Sequence, residues 1–301
     1  MTLKKFFYLG LLAVMIFSFP TKIFAETSAT EKLVQIERDT YGKEETGALL
    51  NRISKLEKDF NGQNQKGNMN ARIEAIFDSL YENTGEPGII AKINALEWNI
   101  NHEVKNDSIE TRLSALEENL LGKKQEGSFS ARIRELSNVT FGNEDIPMIQ
   151  MQLPADTLIK VALIDSINSK NLRVGDIVHI KVVEDVTADG NLVFAKGLLG
   201  EGTVKSVRKA KGWTGTNGKV EIDFNKIRMI DGRSIETYVG EKSKTEMESK
   251  QMVEGASLVA MNLNDKLNKI LVRGKNVEIT SGAELYVQTK NSAAVYVLSG
   301  E

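Results

Sequence analysis

Six times in succession, at a spacing of 20 residues, a basic residue stands directly before a branched aliphatic one: Lys32-Leu33, Arg52-Ile53, Arg72-Ile73, Lys92-Ile93, Arg112-Leu113 and Arg132-Ile133. Fixed self-similarity of this kind belongs to an array of small units that bury their apolar faces on one another. Within a unit the apolar positions also keep a fixed spacing. Leu49, Ile53, Leu56 and Phe60 form one stretch, and Met69, Ile73, Ile76 and Leu80 the next. Ile89, Ile93, Leu96 and Ile100 follow, then Ile109, Leu113, Leu116 and Leu120. This spacing keeps each stretch on one face of a helix.

Between the stretches lie helix stops: Gly42 and Gly47, Gly62 and Gly67, Gly85 with Pro87 and Gly88, Gly122 and Gly127. The break at Asn106-Asp107-Ser108 lacks glycine, and Asn68, Ser108 and Ser128 occupy N-cap positions. One continuous helix does not suit this pattern. At about 100° per residue, a 20-residue step turns the stripe by about 200°, so neighbouring units would face opposite sides. The repeat therefore predicts short helices of roughly 12 to 14 residues, each folded back on its neighbour. A bundle, or a coiled-coil-like trimeric stalk built from the same pieces, is the alternative.

The recurring basic residues Lys32, Arg52, Arg72, Lys92, Arg112 and Arg132 are followed, after Lys32, Arg52, Lys92 and Arg112, by Glu37, Glu57, Glu97 and Glu117. As a functional surface this is a ladder for anionic glycan; as structure it is a lattice of salt bridges. Residues five apart on one helix do not face each other, so the pairs belong between helices, which favours the lattice. Trp98 and His102 depart from the pattern and read as incidental surface residues.

Residues 1–25 read as a secretory signal. Lys4 and Lys5 give the positive start, the uncharged run Phe6 to Phe19 follows, and Pro20 and Ala25 lead to an expected mature start at Glu26. The run is shorter than the about 20 apolar residues that a spanning helix needs, so no transmembrane segment is expected after cleavage. The chain is therefore read as exported to the periplasm, the outer membrane or the cell surface. With no cysteine, it has neither a disulfide framework nor a thiolate metal site. Its formal net charge of -2 turns more acidic when the signal leaves. Nucleic acid is then not a partner, because that footprint needs a basic excess.

A boundary near residue 150 separates the acidic repeats, 26–150, from a region, 151–301, where the period changes to two. Val220, Ile222 and Phe224 alternate with Glu221 and Asp223, and Asp189-Gly190 and Asp231-Gly232 mark hairpin turns. Strands are expected near 158–163, 176–183, 192–194, 200–208, 219–229, 234–239, 277–279, 284–288 and 294–297. The fold class is α+β: a helical array followed by an antiparallel β-barrel or sandwich. A stretch without alternation near 245–272, carrying Met252, Leu258, Met261, Leu263, Leu267 and Ile270, reads as a helical insertion capping the β structure.

The β region resembles the β-barrel domain of the scaffold subunit of type IV secretion and conjugation systems, and similar domains of secreted bacterial proteins. The residues that carry the likeness are Leu153-Pro154-Ala155-Asp156-Thr157, Val174-Gly175-Asp176, Phe194-Ala195-Lys196-Gly197, Asp231-Gly232-Arg233 and Thr280-Ser281-Gly282-Ala283. The resemblance implies a wall-like structural role in the cell envelope. The scaffold subunit's proline-rich linker has no counterpart among the 4 prolines of this chain, so the resemblance carries the fold and not secretion.

His102 and His179, the only histidines, fall in different regions, which leaves a histidine metal site or a Ser-His-Asp triad without a source. No catalytic residue, metal ligand or cofactor is assigned. Gly212, Gly215 and Gly218 lack the ending of a phosphate-binding loop. The best candidate contact is that loop with the residues before it, Lys205, Arg208, Lys209, Lys211 and Trp213, which combine positive charge with an aromatic side chain. The bland alternative is an edge strand protected by lysine. The sequence thus describes an exported, non-catalytic envelope structural or interaction protein whose partner is an envelope protein or a cell-wall polymer. A homo-oligomer through the repeats is a further option. The alternative function is a binding module for anionic cell-wall polymer or glycan.

Overall fold

The computed structural model describes residues 28–211, 217–252 and 276–300. The expected signal segment and Trp213 lie outside the described residues. Among the described residues six helices come first: α1 (Ala29–Tyr41), α2 (Leu49–Asn61), α3 (Met69–Tyr81), α4 (Ile89–Asn101), α5 (Ile109–Leu121) and α6 (Phe129–Phe141). Each has 13 residues. The side chains of Ser28, Asn68, Ser108 and Ser128 accept backbone N–H groups of the first turn, as N-caps do. Gly42, Gly62, Gly122 and Gly142 end α1, α2, α5 and α6 in the left-handed region, which costs a residue with a side chain about 1–2 kcal/mol. His102 ends α4 in the same conformation, at φ 51°.

The helices do not form a simple row. α1 packs on α3 and α5, α2 on α3 and α6, and α4 on α3, α5 and α6. The second half of the array therefore coils back over the first, and Phe60 at the end of α2 meets Phe129 at the start of α6 edge-on, 5.1 Å between ring centres. This coiling revises one expectation. Leu49 and Met69, read as part of the buried stripe, are exposed, whereas the equivalent Ile89, Ile109 and Phe129 are buried. The ends of earlier helices cover the starts of later ones, and among the described residues no repeat precedes α1.

Among the described residues, twelve strands and one more helix follow: β1 (Met148–Leu153), β2 (Leu158–Leu163), β3 (Ile167–Asn168), β4 (Ile177–Val182), β5 (Val186–Ala188), β6 (Asn191–Phe194), β7 (Leu199–Arg208), β8 (Lys219–Arg228), β9 (Ser234–Tyr238), α7 (Glu241–Ser249), β10 (Glu278–Ile279), β11 (Glu284–Thr289) and β12 (Ala293–Leu298). A closed antiparallel barrel runs in the order β11-β2-β4-β7-β8-β9, sealed where Gln288 of β11 pairs with Tyr238 of β9. Of the two expected architectures it is the barrel, with β1-β12-β6-β5 as a separate sheet and β10-β3 as a short ribbon. Val178, Ile180 and Val182 are buried and alternate with exposed residues on β4, as do Val220, Ile222 and Phe224 with half-buried ones on β8. β1 begins at Met148, ahead of the boundary near residue 150.

β7 lies between β4 and β8 only as far as Thr203, and Lys205 stands beyond that point, on the stretch paired with β8 alone. The helical insertion expected near residue 245 starts earlier, at Glu241; α7 packs on β11, with Met247 buried. Residues 253–272 of the expected insertion lie outside the described residues.

Candidate functional site

The repeated basic residues fall into two sets. Arg52 donates from Nε to Glu37 Oε1 at 2.8 Å and from Nη2 to Glu37 Oε2 at 2.6 Å. Arg72 does the same with Glu57 at 2.7 and 2.6 Å, Arg112 with Glu97 at 3.1 and 2.7 Å, and Arg132 with Glu117 at 2.6 and 2.8 Å. Each pair joins one helix to the preceding one, and all four glutamates are buried. The second oxygen of Glu37, Glu97 and Glu117 also accepts the backbone N–H of Glu45, Lys105 and Gln125 in the following turn. Burial opposes the charged form of Glu57, yet Arg72 and the Gln65 backbone N–H outweigh it and hold the carboxyl below its ordinary range.

Lysine stands in the other two places. No earlier repeat precedes Lys32 among the described residues, and the helix before Lys92 carries Phe77 where the glutamate is due. Lys32 reaches Glu74 at 2.6 Å and the Phe77 ring at 4.7 Å; Lys92 reaches Glu86 at 3.0 Å. Arginine thus occurs wherever a buried carboxylate awaits a planar two-pronged donor, and lysine where none does.

The array is fastened to the barrel through α4 and the turns beside it. Asn94 Nδ2 donates to Ile230 O at 2.9 Å and Asn83 Nδ2 to Asp231 O at 3.0 Å, so both grip the β8–β9 turn. Trp98 Nε1 donates to Asp185 Oδ2 at 2.8 Å; Val104 N donates to Lys196 O and Asn106 Nδ2 to Gly197 O. Trp98 is therefore a fastening residue and not incidental, while His102 packs edge-on against it at 5.5 Å. The turn itself is braced from below. Asp231 is buried and accepts Nε and Nη2 of Arg233 at 2.9 and 2.7 Å, while Arg233 Nη2 also reaches Ala294 O on β12. A cleft of about 380 Å³ opens along this seam, with Arg38, Lys105, Arg112 and Arg228 but also Asp39 and Asp107 on its walls.

The candidate contact residues lie at the far end of β7 and just beyond it. β4 pairs with β7 only as far as Thr203, so the rest of β7 forms a two-stranded ribbon with β8. Lys205 pairs with Asp223 at 3.3 Å, and Arg208 Nε donates to Asn217 O at 3.2 Å. Lys209 and Lys211 follow beyond the strand.

The scattered titratable groups are engaged structurally. Glu184 takes Lys160 at 2.6 Å, and Asp185 accepts Lys196 N and Trp98. His179 Nδ1 lies 2.8 Å from Asp165, at the surface. Asp156, held below the ordinary carboxylate range by the Tyr238 hydroxyl and then the Gln288 amide, ties β9 and β11 together. Among the described residues no group of three or more His, Cys, Asp or Glu is placed to hold a metal ion. None of the described helices is long and apolar enough to cross a membrane.

No family model matches this chain, and no curated protein matches it. Among solved structures it is similar to ComB10 of the Com type IV secretion system of Helicobacter pylori, at 16% identity and a TM-score of 0.27, over 47% of this chain and 88% of that one.

Proposed function

We propose that this protein is an exported, non-catalytic structural component of the cell envelope, in which a helical block is held at a fixed angle on a β-barrel. The observation that carries this reading is the seam. α4 does not hang from the barrel by a linker; Asn83, Asn94, Trp98 and Asn106 bond directly to the β8–β9 turn and to the 185–197 stretch. Such bonding makes a rigid two-part body, which suits a part that sets spacing or orientation within an assembly. Its partner is then an envelope protein, and its place the periplasm, the outer membrane or the cell surface. The test is fractionation of cells with crosslinking of the full chain. Recovery in an envelope fraction, crosslinked to other envelope protein, supports the proposal. A cytosolic location, or turnover of envelope glycan by the purified chain, overturns it.

The second reading is a binding module for anionic cell-wall polymer, favoured by Lys205, Arg208, Lys209 and Lys211 along one ribbon end. Its weakness is that Lys205 and Arg208 already have partners within the fold. Cosedimentation with purified wall separates the readings: binding lost on Lys209→Ala and Trp213→Ala favours the module.

A further inference from the structure

Burial along the repeats is lopsided in a regular way. The residue that opens each helix is buried in the second half of the array, with Ile109 1% and Phe129 4% exposed. In the first half it is open: Leu49 is 38% exposed, Met69 42%, and Leu50 beside them 53%. The residue that closes each stripe runs the other way. Thr40, Phe60 and Leu80 are buried, whereas Ile100, Leu120 and Thr140 are half-buried.

For α1, α2, α5 and α6 both trends follow from one internal contact. The end of α1 covers the start of α5, and the end of α2 covers the start of α6. Phe60 lies edge-on to Phe129, and a Cβ placed on Gly42 or Gly62 would sit 3.8 Å from Ser108 Cβ or 3.9 Å from Ser128 Cβ. Among the described residues the starts of α2 and α3 have no repeat ahead of them to do this covering. The ends of α5 and α6 have no repeat behind them to cover. The array therefore leaves the starts of α2 and α3 open, and the apolar ends of α5 and α6, Leu120, Leu121 and Phe141, only partly covered.

We propose that a second copy of this chain fills them, the ends of α5 and α6 in one molecule seating on the starts of α2 and α3 in the next. The apolar characters match, since Leu49, Leu50 and Met69 would meet Leu120, Leu121 and Phe141. The electrostatics match as well, because helix C-termini with their partial negative charge would abut helix N-termini. The two surfaces differ, so the contact is heterologous, and it builds a ring or an open filament instead of a two-fold dimer. The proposal concerns the purified chain alone, so it can fail while the envelope assignment stands, and the reverse.

The chain contains no cysteine, which makes engineered thiols specific reporters. Sedimentation velocity of the full chain is expected to give concentration-dependent species larger than the monomer. Leu50→Glu, at an exposed site, is expected to return it to monomer with unchanged circular dichroism. Full-length Met69→Cys mixed with Leu120→Cys is expected to form mixed disulfide dimers several-fold faster than either variant alone. A wild-type chain that stays monomeric at its highest soluble concentration overturns the proposal. So does a Leu50→Glu chain that still assembles, or a Met69→Cys chain that crosslinks to itself as fast as the mixture.

Discussion

Arg112 sets its Nε and Nη2 against the two carboxylate oxygens of Glu97, a residue 15 positions earlier on the neighbouring helix, and both side chains are buried. Removing one member of such a pair leaves the other charge buried and unpaired, at a cost of about 3–5 kcal/mol. Glu97→Ala is expected to lower stability by that order in urea unfolding. Arg112→Lys keeps the charge but loses the fork, and is expected to be clearly destabilising too. Lys92→Arg, where no buried glutamate waits, is expected to change stability by no more than about 0.5 kcal/mol. Equal effects of Arg112→Lys and Lys92→Arg would refute the division between the two sets.

Asn94 serves two neighbours at once. Its amide nitrogen donates to Ile230 O, and its amide oxygen accepts Arg112 Nη2 at 2.7 Å. Asn94→Ala strands a buried carbonyl and a buried guanidinium N–H, at about 1–3 kcal/mol for each group left unsatisfied. The same variant loosens the array on the barrel. Limited proteolysis is expected to cut the seam at 102–108 faster in Asn94→Ala than in Ser114→Ala, whose hydroxyl bonds only to Glu110 O within its own helix. Equal cutting rates would remove Asn94 from the fastening.

The helices were readable because several local signals coincided: the apolar spacing, polar N-caps on α1, α3, α5 and α6, and glycines at the ends of α1, α2, α5 and α6. What covers each stripe was not readable, because periodicity gives the direction of an apolar face and not its neighbour. Hence Leu49 was expected inside and is exposed. The seam left a trace in the departures from the repeat. Ile90, Trp98 and Val104 are apolar where most of the other units carry polar residues, and these departures mark the surface of α4 and its turn that meets the barrel. β1 has no counterpart among the expected strands although Ile149-Gln150-Met151-Gln152-Leu153 alternates, because the boundary near residue 150 cuts across it and its partner, β12, lies far along the chain. β3 and β5 are too short to carry a pattern.

Gly232 and Gly62 share a positive φ but not a setting. A Cβ on Gly62 would find only ordinary contact with Ser128, 3.9 Å away, whereas one on Gly232 would lie 2.8 Å from Ile90 Cγ2. Gly62→Ala therefore costs only the left-handed strain, about 1–2 kcal/mol, less about 0.4–1 kcal/mol from restricting the unfolded chain. Gly232→Ala adds a clash at the seam and is expected to cost more in thermal unfolding, with Ile90→Ala restoring part of the difference. A Gly232→Ala chain as stable as Gly62→Ala would show that the β8–β9 turn does not bear on α4.

Two phenols give the array a sensitivity to alkali. Tyr41 donates to Asp59 Oδ2 and Tyr81 to Asp39 Oδ2, each at 2.6 Å. Burial, and then the adjoining carboxylate, push both hydroxyls well above the ordinary phenol range. In the unfolded chain they ionise near pH 10. The folded form therefore holds protons that the unfolded form releases, and stability falls as pH rises above about 10, by at most about 1.4 kcal/mol per pH unit for each phenol. Below that range the shifts have no effect on the pH dependence. Thermal midpoints are expected to be level in mild alkali and to fall steeply beyond it. Phenolate absorbance from these two residues is expected to appear only as helix dichroism is lost. The double variant Tyr41→Phe with Tyr81→Phe should be less stable at neutral pH, because Asp39 and Asp59 lose their donors, yet show a shallower alkaline decline. An unchanged slope in that variant would mean that other groups govern the alkaline limit.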